Sequence, residues 1–193
     1  MKNKAVNNII ITGATRGLGL SHAQYLAKRG YNIALLDISK DACSIYGEVQ
    51  SISTILEKLR KSNKAEFYSC DLTNYKNTKD TFQKILNDFG SIEGAVFNAG
   101  GDIKGRDINA SGGKAQNNSI CIDIDDHDAI FDRNYRTCLN SIKAIVPILR
   151  EQRFGKIITT SSASAGFGVT KETAYSTSKA AIIHLTRSVA AEL

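Results

Sequence analysis

The chain has 193 residues, 42% of them hydrophobic and 23% charged, a balance that suits one globular domain with a substantial core and excludes a disordered or fibrous polypeptide. Its formal charge of +6 is carried by lysines and arginines scattered singly, which argues against a nucleic-acid partner and suits a basic protein that takes an anionic small molecule. No apolar run approaches the ~20 residues a bilayer requires, so no membrane partner is expected.

Short apolar runs alternate with amphipathic stretches of helix length, the pattern of a doubly wound α/β protein whose parallel sheet is covered on both faces. The first strand is read over Asn7–Thr12, where Ile9, Ile10 and Ile11 form a β-branched run. It breaks into Gly13-Ala14-Thr15-Arg16-Gly17-Leu18-Gly19, and a periodic helix over Leu18–Arg29 follows, closed by Gly30. Glycines in such a turn permit positive φ and let the backbone come close to a ligand. The helix start adds unpaired N–H groups and a positive dipole end, so a pyrophosphate is the expected occupant. The second strand, Asn32–Asp37, ends on a carboxylate eighteen residues past Gly19, placed to accept hydrogen bonds from an adenosine ribose. That charge would repel a 2′-phosphate and so favours NAD over NADP.

Downstream, helices are read over Gly47–Lys61, Tyr75–Phe89, Asp126–Arg153 and Thr173–Leu193. Strands fall between them at Ala65–Ser69, Gly94–Asn98 and Lys156–Thr160. Right-handed crossovers predict the spatial order 3-2-1-4-5 in a single Rossmann-like domain over residues 1–193, with a crevice at the carboxyl ends of strands 1 and 4. Pro147, the only proline, should kink or locally break its long helix. Gly101 to Asp125 is polar and glycine-rich, hence a loop; covering the substrate and a plain surface insertion are both open to it.

Cys43, Cys70, Cys121 and Cys138 form no CxxC pair and no metal-ligand spacing, which reads as buried or reduced thiols in a cytoplasmic protein. His22, His127 and His184 show no pairing suited to catalysis, so surface or packing roles are expected and no metal site.

Near the end stands Tyr175-Ser-Thr-Ser-Lys179, with Ser162 thirteen residues upstream. Residues four apart on a helix share a face. A free tyrosine titrates near ~10, so bringing it to neutrality costs about 4 kcal/mol. One cation ~4 Å away, at an effective dielectric of ~20, is worth about that much. Lys179 can therefore make Tyr175 a working acid and base. Ser161 and Ser164 stand close to Ser162, but the spacing to Tyr175 favours Ser162.

The two ends together resemble the short-chain dehydrogenase/reductase family, of the TGxxxGxG and YxxxK type, from about Asn7 to Leu193. Asp71-Leu72 after the third strand, Asn98-Ala99-Gly100 after the fourth, Asn134 in the long helix and Ser161-Ser162 after the fifth match further family signposts in order. The resemblance implies an oxidoreductase that passes a hydride between NAD(H) and an alcohol or ketone. On that likeness Gly13, Thr15, Arg16, Gly17, Leu18 and Gly19 form the cofactor turn, and Arg16 matches an arginine that holds a 2′-phosphate in members using NADP(H). Asp71 and Leu72 would line the adenine, while Asn98, Ala99 and Gly100 border the ribose and nicotinamide. Ser162 would orient the substrate oxygen, and Tyr175 would move its proton. Lys179 would lower the phenol's pKa and bind the nicotinamide ribose, and Asn134 would hold a water of a proton relay.

Family members generally continue well beyond this last helix, through two more strands. A fragment or early-terminated frame is therefore expected, ahead of a chain completed by a partner or an unusual minimal fold. Strand 5 would then be an uncovered edge. The family's homo-oligomer is doubtful for such a chain. A catalytically silent dinucleotide-binding module is the alternative to an active enzyme.

Overall fold

Ile10 and Ile11 point to opposite faces of one strand, and both are fully buried. The computed structural model describes residues 7–44, 47, 49–61, 63–101 and 119–193. Its strands are β1 (Asn8–Thr12), β2 (Asn32–Asp37), β3 (Ala65–Ser69), β4 (Gly94–Phe97) and β5 (Lys156–Thr159). They form one sheet in the order β3-β2-β1-β4-β5, every pairing parallel, the doubly wound order expected from the crossovers. Helices α1 (Gly17–Lys28) and α2 (Ile52–Arg60) bury Leu20, Ala23, Ile55 and Leu59 with Ile11 and Leu35 on one face. On the other, α3 (Tyr75–Phe89), α5 (Thr137–Gln152) and α6 (Thr173–Glu192) bury Phe82, Ile145 and Ile182 with Ile10, Leu36 and Phe97. Each such side chain contributes about 2 kcal/mol on burial, which is why strands apolar on both sides require both layers.

Local capping explains the boundaries. The second helix starts at Ile52, later than the predicted Gly47, because the Ser51 hydroxyl accepts from the Thr54 N–H at 3.3 Å. A short 3-10 turn at Lys40–Ser44 precedes it. Helix α3 is capped by Asn74, which accepts from the Asn77 N–H, and closes on Gly90 at φ +83°.

The long helix predicted over Asp126–Arg153 is two helices. Helix α4 (Ile124–Phe131) is joined to α5 by a π turn at Asp132–Arg136. Its start precedes Asp126 because Asp123 caps it, accepting from the Asp125 N–H at 2.9 Å. Helix α5 continues through Pro147, so of the predicted kink or local break the break is not found. Pro147 lacks the N–H that would donate to the Lys143 carbonyl, and both residues are exposed. A departure from α geometry lies upstream, at the π turn.

At the edge of the sheet, β5 leaves Ile158 60% exposed. Among the described residues no helix is long and apolar enough to cross a membrane. Most of the expected loop from Gly101 to Asp125 falls on residues 102–118, which lie outside the described residues.

Candidate active site

Parallel strands put all five carboxyl ends on one side. In spatial order these ends carry Asp71-Leu72 (β3), Asp37 (β2), the glycine turn (β1), Asn98-Ala99-Gly100 (β4) and Ser161-Ser162 (β5). Five strands at ~4.8 Å spacing stretch this row over about 19 Å, room for an elongated ligand.

At its centre the turn is tightly packed on one side and open on the other. Gly13 and Gly17 have φ of +62° and +50°, the left-handed region. A Cβ on Gly19 would fall 2.0 Å from the Gly13 carbonyl oxygen, and one on Gly13 3.0 Å from the Ala99 Cα. Around Gly17 no atom of the described residues, its chain neighbours and own helix backbone aside, lies within 4 Å of such a carbon, so the open space is at the start of α1. The first turn of α1 carries no acidic residue to offset its dipole, and Leu18 there is 66% exposed. Arg16 is the half-buried N-cap residue, with extended backbone.

Beside the turn, Asp37 is half-buried at the end of β2. Its Oδ2 accepts from the Thr15 hydroxyl at 2.6 Å and the Thr15 N–H at 3.1 Å, and its Oδ1 accepts from the Ile38 N–H at 2.9 Å. Thr15 itself is wholly buried. Further out, Asp71 is exposed and uses Oδ1 to accept from the Thr73 N–H and hydroxyl. Leu72 is buried, its carbonyl accepting from Asn140 at 2.9 Å.

On the other side of the turn, Lys179 is 3% exposed. Its Nζ donates to the Thr160 carbonyl at 3.0 Å and lies 5.8 Å from the centroid of the half-buried Tyr175 ring. Burial lowers the pKa of Lys179, opposed by the nearby Cys138. Gly100 completes the wall: a Cβ there would stand 2.6 Å from Asn134 Oδ1 and 3.4 Å from Lys179 Nζ. Asn134 is fully buried in the π turn. It accepts from the Gly101 N–H and donates to the Gly101 and Ile130 carbonyls. Both amide hydrogens and one of the two oxygen lone pairs are thus taken.

The serines after β5 separate by partner. Ser161 donates to the Lys179 carbonyl, and Ser164 is buried. Ser162 stays half-exposed, its hydroxyl 2.9 Å from that of Ser164.

Three participants escaped the sequence reading. The Thr12 hydroxyl accepts from the N–H groups of both Asn98 and Ala99, each at 3.0 Å, binding β1 to the β4 loop. Asn140 donates to the Leu72 and Thr73 carbonyls from α5. The Thr160 carbonyl anchors Lys179. Thr12 was legible in principle, since a polar residue ending an apolar run and buried there needs partners. The other two depend on contacts far apart in sequence.

His127 stacks on Phe131 with centroids 4.8 Å apart. Among the described residues no group of His, Cys, Asp and Glu could hold a metal. The four cysteines are free, three of them buried and Cys121 exposed.

A parallel sheet of this order, with a glycine turn at its centre, is a Rossmann-like doubly wound fold. The chain belongs to the short-chain dehydrogenase family, whose family model matches residues 7–193. It is 27% identical over 192 residues to a cyclohexanol dehydrogenase of Rhodococcus sp. (strain TK6), covering 95% of this chain and 67% of that one. A 3-oxoacyl-(acyl-carrier-protein) reductase of Staphylococcus aureus (strain Mu50 / ATCC 700699) is 28% identical over 191 residues, 98% of this chain and 70% of its own. Among solved structures, an NAD+-bound xylitol dehydrogenase matches with a TM-score of 0.80 at 27% identity, covering 96% of this chain and 64% of that one. The chain thus spans about two thirds of the length of these relatives.

Proposed function

We propose that this chain, as one domain over residues 1–193, is an oxidoreductase that moves a hydride between NAD(H) and an alcohol or ketone. The observation that carries the reading is the buried Lys179 ammonium 5.8 Å from the Tyr175 ring, beside the crevice wall at Gly100. At an effective dielectric of ~20, a unit charge about 4 to 6 Å from a phenolate oxygen is worth about 3 to 4 kcal/mol. That supplies most of the roughly 4 kcal/mol by which a tyrosine misses neutrality.

The residues fit a dinucleotide: the space beside Gly17 and the uncompensated start of α1 suit its pyrophosphate. When bound, the nicotinamide gives or accepts the hydride. In the direction of reduction, Ser162 donates a hydrogen bond to the ketone oxygen and fixes its position. Tyr175 donates the proton that the developing alkoxide needs, and Lys179 stabilises the phenolate left behind. Asn134 holds, with its remaining lone pair, the water through which Lys179 exchanges protons with solvent. Gly13, Thr15, Gly17, Leu18 and Gly19 shape the turn. Asp71 and Leu72 border the adenine, and Asn98, Ala99 and Gly100 the inner ribose and nicotinamide. Asp37, accepting from the adenosine ribose, favours NAD over NADP against the pull of Arg16.

Tyr175→Phe tests the reading in the full chain, with NADH binding followed calorimetrically and turnover assayed on a panel of cyclic and linear ketones. Turnover is expected to vanish while NADH binding persists; undiminished turnover refutes the mechanism. A second reading, a catalytically silent dinucleotide-binding module, needs only the space at Gly17 and the start of α1. NADH binding without turnover on any ketone would select it.

A further inference from the structure

We infer that Thr15 is a positioning residue that sets how sharply Asp37 discriminates a free ribose from a 2′-phosphorylated one. The inference rests on the cofactor reading above and deepens it.

Thr15 is 0% exposed, so its side chain is not placed to meet a ligand in the crevice. It meets Asp37 instead, through two hydrogen bonds to the same oxygen, hydroxyl at 2.6 Å and N–H at 3.1 Å. The neighbouring Ala14 N–H donates to the Leu36 carbonyl at 3.1 Å. The glycine turn and the end of β2 are therefore tied by three bonds and move as one piece. The Ile38 N–H holds the other carboxylate oxygen at 2.9 Å. Of the roughly four lone-pair sites on a carboxylate, three are occupied by the protein. One site on Oδ1 remains for a ribose hydroxyl.

Hydrogen bonds to an ionised acceptor are the strong ones, and here they fix the carboxylate plane. A pinned charge cannot swing away from a 2′-phosphate, nor drift from a ribose hydroxyl. Without the Thr15 hydroxyl, Oδ2 keeps a single amide partner, and the carboxylate gains freedom to rotate. The repulsion that rejects NADPH and the acceptor that welcomes NADH weaken together.

The test is calorimetric titration of the full chain with NADH and with NADPH, comparing wild type with Thr15→Val, Thr15→Ser and Asp37→Ala. Thr15→Val is expected to lower the preference for NADH about tenfold, the loss of one charge-assisted bond, and Thr15→Ser to restore it. Thr15→Ala, checked by circular dichroism, carries the same comparison should valine fail to fit. Equal weakening of both cofactors in Thr15→Val, or an unchanged ratio while Asp37→Ala abolishes the preference, overturns the positioning role alone. A wild type indifferent between the two, or an Asp37→Ala variant with an intact ratio, overturns the cofactor reading and the inference with it.

Discussion

Replacing Gly19 by alanine places a methyl carbon 2.0 Å from the Gly13 carbonyl oxygen and 3.0 Å from Asn98 Nδ2. Real contacts of that kind stay above 3.0 Å, so the turn must shift by about 1 Å. The obstructing oxygen is backbone, and Gly13 is itself pressed against Ala99, so relief cannot come from one flexible side chain. Overpacking of this kind costs about 3 kcal/mol. With a urea m-value of about 2 kcal/mol/M, the unfolding midpoint falls by about 1.5 M. Gly17→Ala is the control: its methyl meets nothing within 4 Å, and only the left-handed φ of +50° opposes it. That costs about 1 kcal/mol, or roughly 0.5 M. Tryptophan is absent from the chain, so far-UV circular dichroism is the probe of unfolding. NADH titration on the same samples should show the greater affinity loss in Gly19→Ala, because its amides no longer point into the crevice. A Gly19→Ala midpoint no lower than that of Gly17→Ala refutes the steric reasoning.

Thr12→Val leaves the half-buried N–H groups of Asn98 and Ala99 without their acceptor and should cost about 2 kcal/mol, with Thr12→Ser recovering most of it; an unchanged urea midpoint counts against the bridge. Iodoacetamide at mild alkaline pH should label exposed Cys121 first. Cys43 and Cys70 are protected by burial, which raises their thiol pKa values, and Cys138 is pushed up to about 11 by the same cause. Peptide mapping that finds all four labelled alike contradicts this. Burial lowers the folded-state pKa of Lys179, so the folded chain sheds that proton before the unfolded chain does. The penalty for burying the ammonium is full below the folded pKa and fades as pH rises to the ordinary lysine value of ~10.4. The stability of Lys179→Met relative to wild type should therefore decline between neutral pH and that value; a relative stability that grows with pH refutes the assignment.

The sheet was legible because its signal is local. Ile9 to Ile11, Asn32 to Asp37 and Ala65 to Ser69 are short runs between turn residues, and parallel crossovers leave few orders open. The glycine turn was legible for the same reason, since its spacing encodes backbone shape. Boundaries set by a cap were less so, as the late start at Ser51 shows: its neighbours Gly47 and Val49 carry no periodicity that decides the matter. The π turn could not be read, because the apolar pattern of Ile130, Cys138 and Ile142 suits an α-helix and the extra residue is fixed by Asn134 reaching Gly101. Thr15 was read as part of the cofactor turn; that its hydroxyl is spent on Asp37 is a contact across two strands that spacing does not reveal.

The π turn at Asp132–Arg136 has a consequence for how this helical rod may lengthen or shorten. The turn absorbs one surplus residue, which sets everything after it back by about 100° relative to regular winding of the same chain. That phase offset lets α4 lie against α6 while α5, on the same rod, lies against α3. Deleting a single residue between Ile130 and Thr137 would let the helix wind regularly with Cys138, Asn140 and Ile142 still facing the sheet, whereas a deletion further along α5 would swing the residues after it off together. The π turn is thus the place on this rod where one residue can be lost without turning the rest.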